Sequence, residues 1–137
     1  MTAPKWAAGV LFDEAGAVLL AQRSQSKKVA PGAWHLPGGT VEHGETYEQA
    51  LVRELKEELD LDITETLATG AEINYERGMG SIVTKIYLVA ATNAPRIANY
   101  ETQAIAFVQF DDLASYLEPQ FLDENRHAVT LAAALVK

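Results

Sequence analysis

Gly38-Gly39-Thr40-Val41-Glu42-His43-Gly44-Glu45-Thr46-Tyr47-Glu48-Gln49-Ala50-Leu51-Val52-Arg53-Glu54-Leu55-Lys56-Glu57-Glu58-Leu59-Asp60-Leu61 joins a glycine loop to a strongly acidic segment, and the rest of the chain reads as support for it. Thr46 followed by Gln49 is a capping-box start, so the spacing predicts a helix from Tyr47 to about Leu59. At 100° per residue, Leu51, Val52, Leu55 and Leu59 make one apolar stripe, while Glu54, Glu57 and Glu58 stand at i, i+3 and i+4 on a neighbouring face. Each like-charge pair at this spacing costs a helix about 0.2–0.5 kcal/mol, so the face calls for a positive partner. Arg53 reaches Glu57 at i+4 and leaves Glu54 and Glu58 unpaired. A hard divalent cation meets the need, because Mg²⁺ takes oxygen ligands and is held by one or two carboxylates plus substrate phosphates. The alternative is a solvated acidic face; the glycine loop and Glu45 ahead of the helix weigh toward the metal.

Read as Gly39, five residues, Glu45, seven residues, Arg53-Glu54-Leu55, one residue, Glu57-Glu58, one residue, Asp60, Leu61, the stretch resembles the Nudix box, G-x5-E-x7-R-E-U-x-E-E-x-G-U with U aliphatic. Every fixed position matches except the last glycine, which is Asp60 here. That glycine would follow the helix in a left-handed conformation, which Asp tolerates better than most residues.

The resemblance implies an α+β Nudix fold, a mixed β-sheet sandwiched between α-helices. It also implies hydrolysis of a nucleoside diphosphate linked to another moiety. Mg²⁺, with Mn²⁺ as the alternative, would be held by Glu54, Glu57 and Glu58, with Glu54 taking the proton of the attacking water. Arg53 would orient the glutamates, and Glu45 would support the loop or a further metal. On the same ground the carbonyl of Gly38 or Gly39 joins the metal shell, and Trp34-His35-Leu36-Pro37 before it lies at the cleft edge. Trp34 reads as a packing residue, with a base-stacking contact to substrate as the alternative. Glu101 is the candidate for a further acidic residue that binds metal or acts as base, against an exposed loop carboxylate. Phe121-Leu122-Asp123-Glu124-Asn125 resembles the Phe-x-x-x-Asn element of MutT-like members, whose asparagine reads a purine edge, and Arg23 falls where they have an arginine near substrate. Asn125 is equally a residue of a helix N-terminal turn.

The 137 residues are one domain's length, so residues 1–137 are expected to form a single Nudix domain with a real core. Hydrophobic residues at 48% and charged ones at 22% fit a soluble globular chain. With no cysteine there is no disulfide framework and no thiolate metal site. No apolar run has the length of a membrane span and no signal peptide is evident, so the expected setting is cytoplasmic, with no membrane partner. A net charge of -8 disfavours a nucleic-acid polymer as partner and leaves a small nucleotide bound through a metal. Monomer and homodimer both stay open.

Outward from the box, residues 5–12 and 17–22 read as a hairpin around Asp13-Glu14-Ala15-Gly16. Residues 24–32 form a polar, basic loop, in which Lys27 and Lys28 are either solvated or a phosphate clamp. His35, His43 and His127 have no metal-ligand spacing; His43 is the one near enough to the site to matter. Residues 67–75 and 82–91 read as an antiparallel hairpin around Arg77-Gly78-Met79-Gly80, 105–110 as a strand and 111–116 as a short helix. Asp123 is expected to cap a final helix to about Val136, packed through Val129, Ala132, Leu135 and Val136. Among substrates, a nucleoside triphosphate, oxidised or otherwise non-standard, fits the small size and the MutT-like spacing. Dinucleoside polyphosphates, nucleotide sugars and a pterin triphosphate remain alternatives. A catalytically silent nucleotide sensor would be expected to have lost box glutamates, and none is missing.

Overall fold

Successive side chains of the central strands enter two different cores, each roofed by one helix. The computed structural model describes residues 4–76 and 80–136. β1 (Lys5–Val10), β4 (Gly38–Thr40), β5 (Ile63–Glu76) and β6 (Ser81–Ala91) form a mixed sheet in the order β4-β1-β6-β5, with β1 parallel to β6 and the other pairs antiparallel. β2 (Val18–Arg23), β3 (Trp34–His35) and β7 (Thr102–Val108) form an antiparallel sheet in the order β3-β2-β7. Ala8, Val10, Leu20 and Ile86 pack with Ala128, Val129 and Ala132 of α2 (Leu122–Leu135). Ala7, Leu19, Tyr87 and Val89 pack instead with Leu51, Leu55 and Leu59 of α1 (Tyr47–Leu59). Because a pleated strand sends neighbours to opposite faces, the two helices cover opposite sides, which is the expected α+β sandwich. Among the described residues no helix is long and apolar enough to cross a membrane.

α1 begins as its sequence requires. The Thr46 hydroxyl accepts the Gln49 N–H at 3.0 Å, and Gln49 Oε1 accepts the Thr46 N–H at 2.9 Å. It ends at Asp60, which adopts φ 53° and ψ 33°, the left-handed region. Val52 is not on the buried stripe: it is 39% exposed, and Ala50 takes its place.

Further expectations are corrected. The hairpin of residues 5–12 and 17–22 shrinks to a bridge between Phe12 and Val18, after which β1 and β2 part into separate sheets. Both edges of β1 are taken by β4 and β6, and the Asp13 carboxylate accepts the Ala15 and Ala17 N–H groups (3.0 and 2.8 Å), turning the chain. β7 starts at Thr102 and stops at Val108; a 3-10 turn at Phe110–Ser115 stands where a short helix was expected. Asp123 does not cap α2 but lies in its first turn, because the 3-10 turn Pro119–Phe121 runs straight into the helix. Val136 is 55% exposed and follows the helix end rather than packing. The β5–β6 pair is antiparallel as expected; its turn, Gly80 apart, lies outside the described residues.

Candidate active site

Arg53 is the hub of the acidic helix face. Its Nε and Nη2 donate to the two Glu45 oxygens at 2.8 and 2.9 Å, and Nη2 also donates to the Thr40 carbonyl at 3.0 Å. Nη1 donates to Glu54 Oε1 at 3.0 Å and to Glu57 at 3.4 Å. Glu54 is therefore paired, contrary to expectation, because Nη1 serves Glu54 and Glu57 together. Glu45 also accepts the Glu42 N–H at 2.9 Å. The Arg53 hydrogen bond, reinforced by that N–H, brings the Glu45 pKa down to about 2. Arg53 is raised in turn, chiefly by its bond to Glu45. Glu45 thus anchors Arg53 and ties the glycine loop to the helix.

Glu54, Glu58 and Glu101 line one cleft with Lys27 and the backbone of Gly38 and Gly39. A Cβ at Gly39 would collide with the Glu54 carboxyl, and one at Gly38 with the Ala7 carbonyl of β1, so this strand approaches both α1 and β1 only as glycine. Glu101 arrives from the other sheet: its carbonyl accepts the Ser24 N–H at 2.9 Å, and the Ala98 N–H just ahead donates to the Glu58 carbonyl at 2.8 Å. Burial and then the charges of Glu54 and Glu101 push Glu58 up to about 8. Burial also raises Glu54, against the pull of Arg53. Lys27 Nζ lies 3.5 Å from Glu101 Oε1. Among the described residues no three carboxylates or histidines are already gathered as a formed metal-binding group; the cleft carboxylates crowd one another instead.

Trp6, Arg23 and His35 line this cleft and also a neighbouring, mostly apolar pocket walled by Ala8, Val29, Leu36, Tyr75, Ile82 and Thr84. The Arg23 guanidinium lies 5.8 Å from the centre of the Trp6 ring, and His35 Nδ1 is 2.7 Å from the Leu36 carbonyl.

A model of the NUDIX domain matches residues 3–132. The chain belongs to the NUDIX family. Over 116 residues, 77% of this chain and 82% of the relative, it is 34% identical to nucleoside triphosphatase NudI of Escherichia coli O139:H28. Over 59 residues it is 48% identical to 8-oxo-dGTP diphosphatase of Proteus vulgaris, a match that covers 43% of this chain and 52% of that protein. The solution structure of the E. coli ORF135 protein superposes with a TM-score of 0.73 at 29% identity, over 98% of this chain and 94% of that one. A MutT Nudix hydrolase from Burkholderia pseudomallei gives 0.79 at 24% identity, over 96% and 98%, a likeness of fold.

Within this MutT-like Nudix hydrolase the expected site residues separate. Glu54, Glu58, Glu101, Gly38, Gly39 and Arg23 meet at the cleft. Glu57 stays at its rim, its carboxylate 55% exposed and its charge felt by Glu54. Lys28 is exposed and lines neither cavity; Lys27 lines the cleft. Trp34 packs edge-on against Tyr116, ring centres 5.1 Å apart, and lines neither cavity. Asn125 is 1% exposed and lies off the pocket wall: its Nδ2 donates to the Phe121 carbonyl at 2.9 Å and to the Tyr75 hydroxyl at 3.2 Å. His43 is exposed, and His35 is the histidine at the cleft. Trp6, Tyr75 and Thr84 were not legible as site residues. They belong to ordinary strand patterns, and nothing local marks which face of β1, β5 or β6 meets the cleft.

Proposed function

We propose that this Nudix hydrolase cleaves a nucleoside triphosphate to the monophosphate and pyrophosphate, with Mg²⁺ held by Glu54, Glu57, Glu58 and Glu101 and a Gly38 or Gly39 carbonyl. The observation that carries the reading is the continuity of the acidic cleft with the apolar pocket across Trp6, Arg23 and His35. A polyphosphate needs the first and a nucleobase the second. The groups lining the cleft fit a hard cation: carboxylates stand beside the Gly38–Gly39 backbone, and Glu58 is crowded by like charges that a cation would relieve. When bound, the metal supplies charge neutralisation of the phosphate oxygens, which removes the repulsion that keeps water away.

The chain's own groups do the rest. Arg53 holds Glu54 Oε1, so Oε2 is the oxygen not engaged by Arg53 and is assigned the proton of the attacking water. Lys27 and Arg23 bring positive charge to the cleft for the phosphates, and Trp6 stands where cleft and pocket join. The relatives named as a nucleoside triphosphatase and an 8-oxo-dGTP diphosphatase support this substrate class.

The test is hydrolysis, with Mg²⁺ and with Mn²⁺, of the common deoxynucleoside triphosphates, 8-oxo-dGTP, a dinucleoside polyphosphate and a nucleotide sugar, with products separated by ion exchange. Monophosphate plus pyrophosphate from a triphosphate is expected. Release of orthophosphate, or cleavage confined to the other two substrates, would overturn the assignment.

A further inference from the structure

Lys27 reaches the cleft from a turn that is fastened to the residue it pairs with. The Lys27 N–H donates to the Ser24 carbonyl at 3.2 Å, closing a four-residue turn, and the Ser24 hydroxyl meets the Ser26 N–H at 3.2 Å and the Ser26 hydroxyl at 2.9 Å. Two bonds pin this turn to the start of β7: the Ser24 N–H donates to the Glu101 carbonyl at 2.9 Å, and the Gln25 N–H to Gln103 Oε1 at 3.1 Å. The root of Lys27 is thereby fixed beside Glu101, and its ammonium lies 3.5 Å from Glu101 Oε1. Lys28, one residue on, is exposed and lines neither cavity, so the turn selects one of the two lysines for the cleft.

Glu101 is in demand from two sides. It lines the cleft with Glu54 and Glu58, and its charge and that of Glu54 bear on Glu58. An ammonium beside Glu101 offsets part of this repulsion, as a divalent cation would; the two compete for the same oxygens and repel each other. Lysine suits a partner that has to let go. Its flexible stem carries a compact charge with three rotatable donors, and the pair with Glu101 is partly exposed and therefore weak.

We propose that Lys27 is exchanged between two partners: it pairs with Glu101 and, when that carboxylate serves a divalent cation, turns its ammonium to the phosphates of the nucleotide. This rests on the reading that Glu101 belongs to the metal shell and that the cleft takes a polyphosphate. Lys27 then opposes the metal while the cleft holds no phosphate and supports it once phosphate is bound, so metal and polyphosphate bind cooperatively.

The experiment is calorimetric titration of Mn²⁺ into the nucleotide-free protein, as wild type, Lys27→Met, Lys28→Met, Glu101→Gln and the Lys27→Met/Glu101→Gln double variant. Inorganic pyrophosphate is then titrated into wild type and the two lysine variants at saturating Mn²⁺, and melts in chelator check that every variant is folded. Lys27→Met binds Mn²⁺ about two- to fivefold more tightly than wild type and pyrophosphate about tenfold more weakly. Lys28→Met, with the same loss of charge, changes little in either titration. Glu101→Gln binds the metal more weakly, and adding Lys27→Met to it brings no further tightening than Lys28→Met does. Unchanged Mn²⁺ affinity in Lys27→Met, a gain matched by Lys28→Met or kept in full without Glu101, or wild-type pyrophosphate affinity in Lys27→Met would each overturn the proposal. Weaker metal binding in Glu101→Gln beside an unchanged Lys27→Met confines the failure to the exchange. Unchanged metal binding in Glu101→Gln instead removes Glu101 from the proposed metal shell, and the exchange with it.

Discussion

Arg96 reaches back over the left-handed end of α1, its Nε donating to Asp60 Oδ2 at 2.8 Å. Lys56 Nζ lies 3.0 Å from the other Asp60 oxygen, and Asn93 Nδ2 donates to the Asp60 carbonyl at 2.7 Å. The N–H groups of Arg96 and Ala98 take the Leu59 and Glu58 carbonyls, two of those a helix end leaves open. The segment that delivers Glu101 is thereby fastened to the helix that carries Glu58. At the position where the Nudix box has glycine, the side chain of this residue makes contacts that offset its backbone strain.

Asp60→Gly would relieve the left-handed strain but lose both ion pairs. We expect no gain in melting temperature at low salt, and a melting temperature less sensitive to salt than that of wild type, since exposed ion pairs are screened. Melting curves at 20 mM and 1 M salt check this, as order-of-magnitude low- and high-screening conditions of about 20 Å and 3 Å Debye length. A rise of several degrees at low salt would show that the ion pairs contribute nothing.

Glu45→Gln should flatten the acid limb of stability. Arg53 lowers the Glu45 pKa from 4.5 to about 2, so the stabilisation is fully present above the unfolded value and is lost as pH falls through the folded one. Melting temperature measured from pH 5 down to about 2 should fall less steeply in the variant than in wild type, while turnover at neutral pH drops as Arg53 loses its anchor. Parallel curves would remove Glu45 as the source of the acid sensitivity.

Glu58→Gln should cut triphosphate hydrolysis by at least about a hundredfold while leaving the metal-free protein as stable as wild type or more so. The half-buried carboxylate is repelled by Glu54 and Glu101, and the amide is not. Steady-state rates with Mg²⁺ and melts in chelator measure the two effects. Wild-type turnover would take Glu58 out of the site.

Asn125→Ala should lower unfolding stability by about 1–3 kcal/mol, because the amide is buried and holds both the Phe121 carbonyl and the Tyr75 hydroxyl. Specificity constants on dGTP, 8-oxo-dGTP, dCTP and dATP should fall in parallel. A change in their ranking would put the amide in contact with the base, as the MutT-like spacing suggests; urea unfolding and the four constants decide.

The helix and its loop were legible because their determinants are neighbours in the chain. The Thr46–Gln49 box, the glycines before Glu54 and the acidic residues at i, i+3 and i+4 interact over one or two turns, so spacing alone specifies them. Even there, Val52 and the reach of Arg53 to Glu54 depended on what packs outside the helix. The strands were legible as strands, since alternation is local, but the partner of each was not. Residues 5–12 and 17–22 look like a hairpin until β4 and β6 occupy both edges of β1.

The sequence by itself determined the family, the α+β class, the capped helix and the acidic face that calls for a cation. Only the tertiary structure decided that Glu101 meets Glu58, that Trp6, Arg23 and His35 join the acidic cleft to an apolar pocket, and that Asn125 is buried against Phe121 and Tyr75. These residues come from separate strands and helices, and their meeting is set by which sheet face each buries. A period-two pattern leaves that choice open until the two cores close.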